Sequence, residues 1–315
     1  MSKIAFIFPG QGAQYVGMAK DFYDASNECK KVFDQATEVL DFDVLRLCFE
    51  ENELIHQTEY TQALMVTACV GILKAVEQMG IKPDVTAGLS LGEYAALVSC
   101  GALSVEDAIS LVRKRGIYMA NEVPSGEGTM AAVLGLEADV VEEVCKEVSG
   151  ELNLVVEPAN YNCPGQIVIS GHKDAIHKAS QLLTERKARR VLPLTVSGPF
   201  HSSMLLGAGE KLAKALEEVS IHELEVPYAS NVTGTIIHDK DQVKELLTKQ
   251  VATSVRWQQC VEAMIADGVD TFIEIGPGKT LSGFLKKIDR TKTVLSIEKY
   301  EDLEKLRELT VNNRG

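Results

Sequence analysis

The chain of 315 residues has no uninterrupted apolar run approaching the ~18 residues of a membrane-spanning helix. It also has no excess of positive charge. Lys and Arg number 32 against 45 Asp and Glu, a net charge of -13, which argues against nucleic-acid binding because phosphate neutralisation needs a basic surface. Its seven cysteines (Cys29, Cys48, Cys69, Cys100, Cys145, Cys163, Cys260) are odd in number, scattered and never spaced C-x-x-C, so neither a disulfide framework nor a zinc site is indicated. The opening MSKIAFIFPGQG carries one lysine and a short apolar run that breaks at Pro9-Gly10. It reads as a first strand rather than a signal peptide, which together with the missing membrane span implies a cytoplasmic protein. Repeats, low-complexity tracts and long charge runs are absent too.

What is present is alternation. KIAFIF, a helical stretch over Met18 to Val39, another over Thr61 to Met79, the strand VTAGLS and helices beginning at Leu91 and Ser104 predict parallel strands joined by crossover helices. TFIEIG (271–276) and TVLSIE (293–298) continue that style late in the chain. The middle differs: strand TMAAVLGL, helix ADVVEEVCKEVS, strands LVVEPANYN and QIVISGH, helix KDAIHKASQLLTERK and strand RVLPLTV. That β-α-β-β-α-β order is the split β-α-β pattern of a ferredoxin-like unit. VPSGEG and SGPF bound it, so residues 126–197 are expected as a small inserted subdomain and 1–125 with 198–315 as one α/β core.

Gly88-Leu89-Ser90-Leu91-Gly92 falls between the strand VTAG and the helix-forming EYAALVSC, the setting a G-x-S-x-G nucleophile elbow requires. Glycines allow the sharp turn that exposes Ser90, and the following helix N-terminus, beginning with the Leu91 N–H, can stabilise an oxyanion. The bland alternative is a glycine-rich turn with Ser90 as a helix cap. A serine hydroxyl needs a base. Of six histidines, His56, His172, His177, His222 and His238 sit in polar or helical stretches, whereas His201 stands where the inserted unit returns to the core. Asp and Glu are too plentiful for one to be singled out as its partner.

Two glycine motifs fail their own tests. GQGAQ (10–14) has Tyr15 where a dinucleotide fingerprint needs a third glycine, leaving a tight loop whose Gln11 N–H could supply a second oxyanion donor. GPGKT (276–280) has Ile273 where a P-loop needs its first glycine, and reads as a strand-to-helix turn.

Taken together, GQGAQ, GLSLGEY, RKRGIYM, NYNCPGQIVISG, GPFH and EIGPGKTLSG, in that order, resemble the malonyl-CoA:acyl carrier protein transacylases of fatty-acid synthesis and the acyltransferase domains of polyketide synthases. The resemblance spans Ile4 to about Ile297. It implies an α/β-hydrolase-like core with a parallel sheet and a ferredoxin-like insertion. It further implies Ser90 as nucleophile and His201 as base, with the Gln250 backbone carbonyl orienting His201 in place of a carboxylate. Gln11 and Leu91 would supply the oxyanion N–H groups, and Arg115 would grip the malonyl carboxylate.

A planar guanidinium suits a carboxylate entering a dry pocket, although Arg113, Lys114 and Arg115 could equally be a solvated basic run on a helix. Gln62, Met119, Asn160, Asn162, Gln166 and Phe200 match positions lining the family's cleft. Phe200 resembles the malonyl type, where methylmalonyl enzymes carry Ser. The resemblance implies malonyl-CoA and acyl carrier protein as partners, a monomer, and no metal or redox cofactor. Arg186, Lys187, Arg189 and Arg190, and Lys286 with Lys287, are candidate docking cations, with ordinary charged helix faces as the alternative. A thioesterase or carboxylesterase using the same Ser–His pair is the rival enzyme, and a catalytically silent carrier-binding module the rival non-enzyme.

Overall fold

A computed structural model describes residues 3–307. Its ten strands are β1 (Lys3–Phe8), β2 (Val85–Gly88), β3 (Gly128–Leu134), β4 (Val156–Cys163), β5 (Gln166–His172), β6 (Arg190–Pro193), β7 (Tyr228–Ser230), β8 (Thr235–Ile237), β9 (Val269–Ile275) and β10 (Thr293–Ile297). Six form one sheet in the order β10-β9-β1-β2-β7-β8, parallel except for the edge pair, where the hairpin strand β8 runs antiparallel to β7. The central strands read as continuous apolar runs because both faces are covered: Ala5, Phe6, Ile7 and Phe8 of β1 are all fully buried. One face packs on the helix Thr58–Glu77, itself buried over most of its length, and on Gly92–Ser99, with Val105–Asn121 layered outside them; the other packs on the helices Trp257–Ala266 and Thr280–Ile288.

The remaining four strands form a separate antiparallel sheet, β4-β5-β3-β6, backed by the helices Ala138–Leu152 and Lys173–Glu185 around their own core of Val144, Val148, Ile169 and Leu183. The chain order is β-α-β-β-α-β, as the patterning predicted, and the sheet lies wholly within 128–193. This unit is tied to the large sheet's side through Val255, whose N–H donates to the Ala159 carbonyl and whose carbonyl accepts from Tyr161 N–H. The expected core segments 1–125 and 198–315 extend beyond the described residues at both ends.

Some boundaries differ from the sequence reading. The helical stretch Met18 to Val39 is two helices, Lys20–Ala25 and Asn27–Val39, because Ser26 adopts an extended conformation and caps the second with its hydroxyl on Cys29 N–H. The short hairpin β7–β8 had no patterning signal at three residues per strand.

For function the important adjacency is β1 beside β2, with Phe8 in register with Gly88. The loop after β1 and the turn after β2 therefore leave the sheet side by side at its carboxyl edge. β7 flanks β2 on the other side and delivers Asn231 to the same edge.

Candidate active site

Ser90 stands two residues beyond the end of β2 and has φ +54°, a left-handed backbone that a side chain seldom adopts. The helix Gly92–Ser99 starts two residues later. The turn is possible only at close quarters: a Cβ on Gly92 would lie 2.4 Å from the Phe8 carbonyl oxygen, and one on Gly10 would lie 2.7 Å from that of Leu89. Asn231 fixes the turn from the β7 side, its Oδ1 accepting from Ser90 N–H at 2.7 Å and its Nδ2 donating to the Gly88 carbonyl at 2.8 Å. The Gln11 and Leu91 N–H groups, on the two neighbouring loops, make no hydrogen bond to another group among the described residues. They remain available to an oxygen outside the fold, one of them at a helix N-terminus.

His201 stands 111 residues downstream, yet its Nε2 is 2.7 Å from Ser90 Oγ. Its backbone too is left-handed, φ +58°. Nδ1 lies 2.8 Å from the Gln250 carbonyl oxygen, which can only accept, so Nδ1 carries the proton and Nε2 presents its lone pair to the Ser90 hydroxyl. Burial and the nearby Arg115 charge press the imidazole pKa down from 6.5 to about 3. The ring is therefore neutral at ordinary pH and able to accept a proton. Among the described residues no carboxylate completes a triad; a peptide carbonyl does the orienting.

Arg115, on the helix Val105–Asn121, is 1% exposed. This rules out the solvated basic run: Arg113 does turn outward to Asp41, but Arg115 turns in. Its Nη1 donates to Gln62 Oε1 at 2.6 Å, and its Nη2 to Gln250 Oε1 at 3.0 Å and to Ser90 Oγ at 3.1 Å, while Nε has no partner among the described residues. Every acceptor is neutral. A buried guanidinium with no carboxylate in direct contact, touching the nucleophile, is a cation whose hydrogen bonds all fall on neutral groups.

A cavity of about 240 Å³ opens over Ser90. Its lining includes Gln11, Gln62, Met119, Asn160, Asn162, Gln166, Phe200 and His201, so the expected residues from both units converge there. The Asn162 Oδ1 is buried with no partner among the described residues, an acceptor free for an amide N–H of a bound chain. Gln62 does more than line the cleft, since it holds Arg115 and its Nε2 donates to Met119 Sδ at 3.5 Å. Leu91, Gln250 and Arg115 stand behind the lining. A larger cavity of about 610 Å³ near Lys74, Lys82, Ser99 and Glu225 shares no residue with it and contains no nucleophile–base pair.

Reasoning from sequence missed Asn231, Glu93, Thr58 and Phe284. Thr58 Oγ1 accepts from Gln11 Nε2 at 3.0 Å, steadying the loop after β1, and Phe284 closes the cavity wall. Asn231 in YASNVTG carries no distinguishing pattern, whereas Glu93 directly follows the elbow and could have been suspected. The GPGKT turn is structural, as read: the Glu274 carboxylate already accepts from the N–H groups of Leu281 and Ser282, filling the helix N-terminus where a phosphate would bind.

The arrangement can carry out acyl transfer through a serine ester: hydroxyl, neutral base, two free N–H donors and a guanidinium for an anionic acyl tail. Comparison with known proteins agrees. Residues 5–304 match the acyl transferase domain family. The malonyl CoA-acyl carrier protein transacylase of Bacillus subtilis is 46% identical over 305 residues, covering 96% of both chains. A crystal structure of the Clostridium perfringens malonyl CoA-acyl carrier protein transacylase superposes with a TM-score of 0.95 at 46% identity, covering both chains completely. A structure of a type II PKS acyl-carrier protein in complex with its malonyl-transacylase matches at 35% identity and TM-score 0.94, over 98% of this chain and 100% of the other. The chain belongs to the acyl transferase family, in the branch of the malonyl CoA-acyl carrier protein transacylases.

Proposed function

We propose that the protein moves a malonyl group from malonyl-CoA to the phosphopantetheine thiol of acyl carrier protein through an ester on Ser90, supplying malonyl-ACP for fatty-acid synthesis. As Ser90 Oγ attacks the thioester carbonyl, its proton passes to His201 Nε2 and the carbonyl oxygen becomes an oxyanion facing the N–H groups of Gln11 and Leu91. Collapse breaks the C–S bond, and the departing CoA thiolate takes the proton from His201. In the second half the carrier thiol gives its proton to His201 and attacks the ester, and Ser90 Oγ leaves and recovers that proton. Each step finds its group among the chain's own atoms, so the cycle calls for no metal and no redox cofactor.

The observation that carries the malonyl assignment is Arg115, a buried cation with an unused Nε and only neutral partners, 3.1 Å from the nucleophile. A carboxylate one methylene beyond the reacting carbonyl supplies the missing direct ion-pair partner, and an acetyl group does not. Acylation by malonyl-CoA and by acetyl-CoA, compared by intact mass, tests it: strong preference for malonyl is expected, and equal labelling by both would refute it. A thioesterase would hydrolyse the malonyl ester in the absence of carrier protein, so persistence of the ester separates the two.

Docking of two anionic substrates to an acidic protein needs local positive charge. Lys286 and Lys287 are favoured, since Lys287 Nζ donates to Gln166 Oε1 at the cavity rim. Arg186 is engaged by Glu143 and Glu147, leaving Lys187, Arg189 and Arg190 as the freer members of the second cluster. A monomer in the cytoplasm is the form we infer. In support, the exposed large apolar side chains among the described residues (Val39, Leu152, Leu192, Leu206, Tyr300) are dispersed along the chain, and all seven cysteines are buried free thiols. No helix among the described residues is long and apolar enough to cross a membrane.

A further inference from the structure

Two carboxylates, Glu93 and Glu274, are fully buried among the described residues. Glu274 is explained by the helix it caps with both oxygens. Glu93, three residues beyond the nucleophile, caps nothing: both of its contacts fall on Oε2, which accepts from Gln250 Nε2 at 2.6 Å and from Asn231 N–H at 3.1 Å, while Oε1 has no partner. A buried carboxylate so poorly satisfied is costly to keep.

The two groups it holds are the two that hold the reacting atoms. Asn231 accepts from Ser90 N–H. Gln250 reaches the nucleophile, the base and the guanidinium: its Nε2 also donates to the Ser90 carbonyl at 3.0 Å, its Oε1 accepts from Arg115 Nη2, and its backbone carbonyl accepts from His201 Nδ1. The side-chain amide thus lies between a carboxylate and a guanidinium with its NH2 toward the first and its oxygen toward the second. Turned the other way it would set donor against donor at Arg115.

We propose that the Glu93 carboxylate is a positioning residue for the transfer reaction, orienting the Gln250 amide and the Asn231 main chain, and through them Arg115 and the Ser90–His201 pair. The carboxylate is also the charge nearest to balancing Arg115 before an anionic acyl group arrives. This inference rests on the proposed acylation of Ser90. Burial pushes the Glu93 pKa up to about 7, with Gln250, Asn231, the Arg115 charge and Ser230 opposing it. The other titratable groups facing it are Tyr94 on its own helix, Tyr228 on β7 and Cys260 on the helix Trp257–Ala266, and of all these Arg115 alone carries positive charge. The orienting form is therefore present above neutral pH and lost as pH falls through about 7. His201, neutral down to about pH 3, does not titrate in that interval.

The test is Ser90 acylation rate from pH 5.5 to 9 for the wild-type protein and Glu93→Gln, with malonyl-CoA and with a neutral activated ester, p-nitrophenyl acetate. Expected are a wild-type rate that declines with acid below about pH 7 and an E93Q rate at least about tenfold lower at pH 8 with both donors. E93Q should also be flat across the interval, with a KM for the neutral ester, which makes no use of Arg115, that does not rise; general disorder of the site would raise that KM as well. E93Q acylating at the wild-type rate, or keeping the wild-type pH dependence, overturns the proposal. A wild-type protein that takes the acetyl but not the malonyl group would defeat the malonyl reading alone, leaving the neutral-ester curves to decide on Glu93. If E93Q does not fold, Gln250→Leu carries the test, since it deletes the amide but keeps the carbonyl on His201: the same slow, flat profile supports the relay, and wild-type behaviour overturns it.

Discussion

Ser90 Oγ accepts from Arg115 Nη2 at 3.1 Å while its hydroxyl faces His201 Nε2 at 2.7 Å, so the group proposed to select the acyl chain touches the group proposed to attack it. The same guanidinium lowers the basicity of His201 through its charge. A malonyl carboxylate paired with Arg115 offsets that charge, so the right substrate also strengthens the base. Arg115→Ala should reduce malonyl acylation by about 100-fold or more, corresponding to ~3 kcal/mol for a buried charge-assisted pair. Acylation by a neutral ester should fall less than about tenfold or rise, since the variant relieves His201 of a nearby charge. Parallel rate measurements with the two donors check this; equal losses would mean that Arg115 serves only the fold.

The depressed His201 pKa is also a statement about stability. Between about pH 6.5 and pH 3 the unfolded chain binds a proton on this ring that the folded chain refuses, so folding stability falls as pH falls through that window. The slope contributed is about 1.4 kcal/mol per pH unit. Glu93 acts with the opposite sign, because its pKa is raised from 4.5 to about 7 and the folded state binds the extra proton in that interval. Urea unfolding of His201→Gln across pH 4 to 7 should show a shallower acid loss than the wild-type protein.

Gly92 tests the geometry of the elbow. A methyl group there would meet the Phe8 and Pro9 carbonyl oxygens at 2.4 and 2.7 Å, and neither belongs to a side chain that could swing away. Gly92→Ala should cost about 1–3 kcal/mol from overpacking and move Ser90 off the oxyanion donors, abolishing acylation even where the variant remains folded. Thermal unfolding together with acylation separates the two effects.

How much of this was legible in the sequence differed between the two units. In β3–β6 and their two helices, hydrophobic period and turn residues alone fix the element order, because each strand and helix is long enough to show its pattern. In the large sheet the buried strands β1, β2 and β9 were evident, but β7 and β8, three residues each, were not. The elbow was readable because its constraint is local, a serine between glycines at a strand-to-helix junction. The Gln250 carbonyl and the inward turn of Arg115 were reached only through the resemblance to the family, since main-chain acceptors leave no residue signature and Arg113 and Arg115, two residues apart, are distinguished only by the neighbours they meet. Asn231 is a long-range contact across 141 residues and had no local mark.

If Lys286 and Lys287 steer the anionic substrates, reversing both to Glu should raise KM for malonyl-CoA or for carrier protein several-fold and weaken its dependence on salt. The acylation rate at saturation should be unchanged, because neither amine reaches Ser90. Steady-state kinetics at two ionic strengths measure this. Unaltered KM values would move the docking site to Arg189 and Arg190.

The central claim is that Ser90 carries the acyl group between two thiols. Intact-mass measurement after brief mixing with malonyl-CoA addresses it directly: one added malonyl group is predicted on the wild-type protein, removed by subsequent addition of holo acyl carrier protein and never formed on Ser90→Ala. A wild-type protein that gains no mass while still transferring malonyl, or a Ser90→Ala protein that gains it, would contradict the account.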